Sequence, residues 1–224
     1  MIRKTLLFAI FLAFAACERE STLLLDPGYD YFPLETGQFR EYEVTETRYA
    51  LAQPAQTITY HIRETVGQPY TDASDQTVYP IERSTRQGNA WRVDSVGAAW
   101  RTTERAFRTE NGLTVVKIQF PVKDGLRWNG NLYNTLGEQI FEMKNVDKPL
   151  TLGSFTFDQT LTVVQQNDST LLSLRKNQET YARDIGLIKR EQTSVQYCGT
   201  PDCLGKSVID FGFTKTTVLK NYGR

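Results

Sequence analysis

A chain of 224 residues, 40% hydrophobic and 23% charged, is long enough for one continuous core and has the make-up of a water-facing globular body. Its 26 basic residues are matched by 26 acidic ones, which excludes the concentrated positive field that nucleic-acid binding needs. Histidine occurs once and cysteine three times, so the usual metal ligands are scarce.

In chain order, the first element is a leader. Arg3 and Lys4 precede an unbroken apolar run, Leu6–Ala16, which closes on Ala15-Ala16-Cys17. A basic start, an apolar middle and a small-residue cleavage site make up a secretory signal. The run is too short to span a bilayer, which takes about 20 apolar residues. A cysteine directly behind the small residues resembles the bacterial lipoprotein signal, in which that thiol is acylated before the leader is cut away. Phe14 stands where that signal usually has a leucine. The resemblance implies a signal peptide over residues 1–16 and palmitate-type acyl chains on Cys17. It further implies an address in the cell envelope, anchored at the outer membrane. One acyl chain attaches a protein only marginally, at about 0.8 kcal/mol per buried methylene, whereas two or three hold it permanently. Acidic residues behind the anchor are a leaflet cue in some bacteria. Here Arg19 interrupts Glu18 and Glu20, which leaves the periplasmic and surface faces both open.

Residues 17–30 read as a tether, with Leu23-Leu24-Leu25 as its one apolar stretch, and 31–224 as a single β-rich domain. From Tyr31 onward the period is two, the mark of half-buried strands. Ile58, Tyr60 and Ile62 share one face; Thr57, Thr59, His61 and Arg63 share the other. Val116, Ile118 and Phe120 alternate with Val115, Lys117 and Gln119, and Ile209, Phe211 and Phe213 repeat the pattern. Asn111-Gly112 between two runs favours a type I′ hairpin turn. Lys123-Asp124-Gly125 and Asn129-Gly130-Asn131 predict further reversals. There are about ten candidate strands and no amphipathic helix of three turns. The expected fold is an all-β antiparallel meander curled by strand twist into an open or closed barrel, with a two-sheet sandwich as the alternative.

With Cys17 lipidated, Cys198 and Cys203 remain, flanking the turn-forming Gly199-Thr200-Pro201-Asp202. In an oxidising envelope such a pair reads as a disulfide, and so small a loop gives roughly 2 kcal/mol in the chain-entropy model. Free thiols and a metal site are the alternatives; the metal reading lacks ligands, since His61 is far away in sequence.

Chemistry-bearing motifs are sparse. Gly199 to Gly205-Lys206-Ser207 nearly spells a phosphate-binding loop but carries one residue too many between its glycines. Any serine-type triad would have to use His61, which lies opposite an apolar face. Glu41 and Glu43 leave one strand face about 6.5–7 Å apart, inside the inverting-glycosidase range. Tyr42 and Val44 claim the inward face, however, and leave both glutamates in water. The aromatic surplus is three Trp, eleven Tyr and twelve Phe. Trp91, Trp100 and Trp128 sit among amide and guanidinium donors. Such rings either stack on sugars or cap the ends of a barrel.

Three stretches together resemble uncharacterised lipoproteins of the Bacteroidota. Tyr31-Phe32-Pro33-Leu34 with Gly37 is similar to their entry into a first long strand. Phe120-Pro121-Val122-Lys123-Asp124-Gly125 with Trp128-Asn129-Gly130-Asn131 is similar to a mid-chain signature. Glu179-Thr180-Tyr181-Ala182 with Ile185-Gly186-Leu187-Ile188-Lys189-Arg190-Glu191 is similar to a late strand. The resemblance covers nearly all of the chain after the leader and implies no established activity. The expectation is a non-enzymatic envelope lipoprotein that binds or scaffolds, without cofactor or metal. Its partners are the membrane, through acyl chains on Cys17, and an envelope protein, lipid or glycan. A glycan- or lipid-binding module is the alternative, and a hydrolase using His61 or Glu41 and Glu43 the third.

Overall fold

The computed structural model describes residues 26–224. Cys17 and the Leu23–Leu25 stretch lie outside the described residues. A single turn of 3-10 helix, Tyr29–Tyr31, leads into thirteen strands. These are β1 (Phe39–Tyr49), β2 (Gln56–Val66), β3 (Tyr70–Thr71), β4 (Thr77–Gln87), β5 (Ala90–Arg101), β6 (Arg105–Glu110) and β7 (Leu113–Gln119), then β8 (Arg127–Asn129), β9 (Ile140–Leu152), β10 (Phe155–Ser169), β11 (Ser173–Ala182), β12 (Gly186–Tyr197) and β13 (Ile209–Gly223). The described residues contain no α-helix. β3 and β8 are too short to carry a readable alternation, which is why the sequence marks fewer strands.

Twelve of the strands form one antiparallel sheet in the order β7-β6-β5-β4-β2-β1-β13-β12-β11-β10-β9-β8, with β3 added beside β4. The sheet is a meander whose first and last strands pair, Phe39 opposite Gly223 through to Tyr49 opposite Gly212. Twist and bulges, among them those at Glu41/Tyr42, Arg83/Ser84 and Thr180/Tyr181, curl it into a barrel. The barrel is nearly closed and has one seam, between β7 and β8. It is not a two-sheet sandwich.

β1 shows how the sequence sets the inside. Arg40, Tyr42, Val44 and Glu46 are buried in alternation with the partly exposed Glu41 and Glu43. Asn111 and Gly112 both take positive φ, 50° and 78°, so the β6–β7 hairpin has the turn its sequence favours.

One barrel end is plugged. Tyr31 is buried there and donates its hydroxyl to Asp147 Oδ1 at 2.8 Å. Tyr29 meets Phe120 edge-on at 4.9 Å, and Phe32 leans on Tyr181. Arg183, in the β11–β12 turn, clamps the segment: it donates to Asp26 at 2.6 Å, Asp30 at 2.8 Å and Asp147 at 2.9 Å. Asp26–Asp30, which the sequence assigns to the end of a tether, is therefore docked on the body. Its acidic residues are there for the arginine.

Candidate functional site

Inside the plugged end lies a layer of charge. Lys117 and Glu179, each 1% exposed, meet across the barrel at 2.7 Å. Lys117 also reaches Glu110 at 3.0 Å. Arg190 holds Glu110 at 2.8 Å and Glu179 as well. Glu179 completes its shell with the Tyr181 hydroxyl at 2.6 Å and Gln165 Nε2 at 2.8 Å. Beside this cluster Arg108 grips Glu64 with both terminal nitrogens, one of them at 2.8 Å. Two N–H groups on two carboxylate oxygens is the strongest geometry available to this pair.

The environment keeps these groups charged. Burial alone would raise the carboxyl of Glu64, but Arg108, then Arg40 and Arg190, outweigh it and hold the pKa at about 2. Burial also acts to raise Glu110 and Glu179; Lys117 and Arg190 override it in both, and both lie below the usual carboxylate range. Burial, with Glu179 beside it, pushes the Tyr181 hydroxyl well up, so it remains a donor.

Above the layer the barrel opens into a cavity of about 1250 Å³, larger than most small-molecule sites. Its lower wall is formed by Tyr42, Val44, Ile62, Ile81 and Leu187, with Arg108 and Arg190 among them. Its mouth, at the end remote from the plug, is bordered by the β1–β2 connection, the Asn111-Gly112 turn and Phe213. Five basic side chains line it, Arg48, Arg83, Arg108, Arg190 and Lys215, against three acidic ones, Glu46, Glu64 and Glu110. Each of the five is ion-paired, Arg48 and Lys215 with Glu46, Arg83 with Asp94, Arg108 with Glu64 and Arg190 with Glu110 and Glu179, so an anionic ligand group would share donors that carboxylates already hold.

The residues singled out from sequence lie elsewhere. His61 Nε2 is 3.7 Å from Glu43 Oε2 on the outer face, and Lys220 holds the other oxygen of Glu43 at 2.9 Å. Glu41 is engaged by Arg63 Nε at 2.8 Å. Trp91 and Phe39 both pack against the Arg63 guanidinium at 4.9 Å. Trp100 stacks on Phe107 at 5.0 Å, and buried Trp128 donates its indole N–H to the Val116 carbonyl at 2.9 Å. No two of the three indoles stack on each other. Cys198 and Cys203 are joined, with Cα atoms 5.8 Å apart. The near-phosphate loop is the turn that this bond closes; it feeds a strand, β13, rather than the helix a phosphate loop requires.

Sequence alternation misses the charged layer because it assigns polar residues to water. Lys117 lies on the polar face of its strand, yet that face is the interior, while Val116 and Ile118 are covered from the other side. A usable signal is the run Ile58-Tyr60-Ile62-Glu64: the last member continues an apolar face and carries a charge into it.

No family model matches the chain, and no curated protein does. Among solved structures it is similar to a protein from Parabacteroides distasonis that is named as a lipoprotein. The two are 13% identical over 86% of this chain and 98% of that one, with a TM-score of 0.37. It is also similar to a protein from Bacteroides fragilis named as exported and of YmcC-like fold. There the identity is 13%, the shares are 86% and 98%, and the TM-score is 0.36.

Proposed function

We propose that this chain is a lipid-anchored lipoprotein of the cell envelope that binds, without transforming, a small ligand in its barrel cavity. The cavity carries the reading: it is large, open at one end, apolar low on its wall and net cationic around it. A ligand with an apolar body and an acidic group, such as an acidic lipid or a charged glycan fragment, fits that combination. The leader and Cys17 support the address at the outer membrane.

Two measurements test the two halves of the reading. Cys17→Ser should abolish fatty-acid incorporation and move the protein from the membrane to the soluble fraction; unchanged partitioning removes the anchor. Native mass spectrometry of protein taken from envelopes should show a bound small molecule that Val44→Trp, which fills the lower cavity, displaces. A wild-type mass equal to the polypeptide and its acyl chains alone removes the ligand.

A further inference from the structure

Between the charged layer and the plug lies a second chamber, of about 20 Å³, room for a single small species. Phe32, Pro33 and Leu34 of the plug cover it. Four cationic side chains line it, Arg40, Arg108, Lys117 and Arg190, and no carboxylate does. The carboxylates that pair with this group, Glu64, Glu110 and Glu179, number three, which leaves one positive charge over.

Arg40 is the cation without a carboxylate of its own: it acts on Glu64 only through space, beside Arg108. It is only 7% exposed, and its Nη1 donates to the Ile185 carbonyl at 3.0 Å. It stands opposite Glu64 in the β1–β2 ladder, but that carboxylate is taken by Arg108. The Nε–H groups of Arg40 and Arg190 are buried and have no hydrogen-bond acceptor among the described residues. A buried cation that must share its nearest carboxylate with a second arginine, and a buried donor without an acceptor, are both unfavourable. A single water would supply an acceptor but no charge.

We propose that this chamber is a binding site for a small monovalent anion of chloride's size, held by the free N–H groups of Arg40 and Arg190. Arg108 and Lys117 surround it with further positive charge, and the plug covers one side of it. Phosphate, sulfate and substituted carboxylates are too large for the space. The site stands apart from the ligand proposed for the larger cavity, since its occupant would lie on the other side of the charged layer.

Thermal unfolding of the purified full chain tests this, with sodium chloride exchanged for sodium gluconate at constant ionic strength. Gluconate cannot enter the chamber. The melting temperature should rise by about 3–5 °C for each tenfold increase in chloride above its dissociation constant. Arg40→Met should remove that dependence. Equal melting in both salts, or a chloride effect that survives Arg40→Met, overturns the proposal. Because Arg40→Met could fail to fold, crystals of the unaltered chain grown in sodium bromide give a second reading. An anomalous peak between Arg40 and Arg190 supports the site. Water density there, or bromide confined to the surface as an adventitious ion only, overturns it.

Discussion

Glu179 shows what a carboxylate does when every neighbour answers it. Lys117, Arg190, Tyr181 and Gln165 all direct donors at its two oxygens, and of the five only Arg190 is partly exposed. Removing the charge leaves Lys117 and Arg190 to share Glu110 alone, so Glu179→Gln should destabilise by about 3–5 kcal/mol in urea unfolding. Glu43, whose partners His61 and Lys220 are solvated, is the control: Glu43→Gln should change stability by about 1 kcal/mol or less. Glu64 adds a pH dependence. Its pKa falls from 4.5 to about 2 on folding, so the stabilisation is complete above pH 4.5 and disappears as pH drops through 2. The contribution is roughly 3 kcal/mol. Unfolding midpoints should fall over that window in the unaltered chain and fall less in Glu64→Gln. Parallel titration of the two would place the loss at another group.

At the scale of elements, one side chain gathers the charges of the plug. Arg183 binds Asp26, Asp30 and Asp147 together and lies over the Tyr31 ring at 4.7 Å. Arg183→Met should cost about 1–3 kcal/mol and speed amide exchange at Tyr31 and Phe32 before other amides respond. An unchanged exchange pattern would mean that burial of Tyr31, with Arg101 on the Tyr29 and Phe32 carbonyls, holds the plug without Arg183. This element also marks the limit of what the chain discloses before folding. The strands are legible because Tyr42, Val44 and their like alternate, and the β6–β7 hairpin because Asn-Gly tolerates positive φ. The plug is not, since the purpose of Asp26 and Asp30 is visible only when residue 183 arrives beside them. Nor is the pairing of β1 with β13, because no local pattern records which distant edge a strand will meet. The charged layer stays hidden for a different reason. A barrel this wide cannot fill its interior with apolar side chains, so an inward face can carry Arg40, Lys117 or Glu179 and look solvated.

For the whole molecule the seam decides how the barrel gives way. β1 and β13 are paired over the full length of β1, whereas β7 and β8 are joined through one backbone bond, from Val116 N–H in the middle of β7 to the carbonyl of Gly130 just beyond β8, at 2.9 Å. Two side chains complete the junction: the Trp128 indole on the Val116 carbonyl, and Asn134 Nδ2 on the Thr114 carbonyl at 2.8 Å. Gly130 fits there because a Cβ would sit 2.3 Å from the Phe141 ring. Few bonds and short strands make this the line of lowest local stability. Trp128→Phe keeps a ring in place and removes the N–H, leaving a buried carbonyl with one acceptor site unmet. The expected cost is about 1–3 kcal/mol, with the Val116 amide exchanging roughly tenfold faster or more. The amides of Val44 and Val218, in the long β1–β13 ladder, should keep their rates until global unfolding governs them. Equal acceleration at Val116 and Val44 would mean that the barrel opens only as one unit, with the seam no weaker than the ladder opposite.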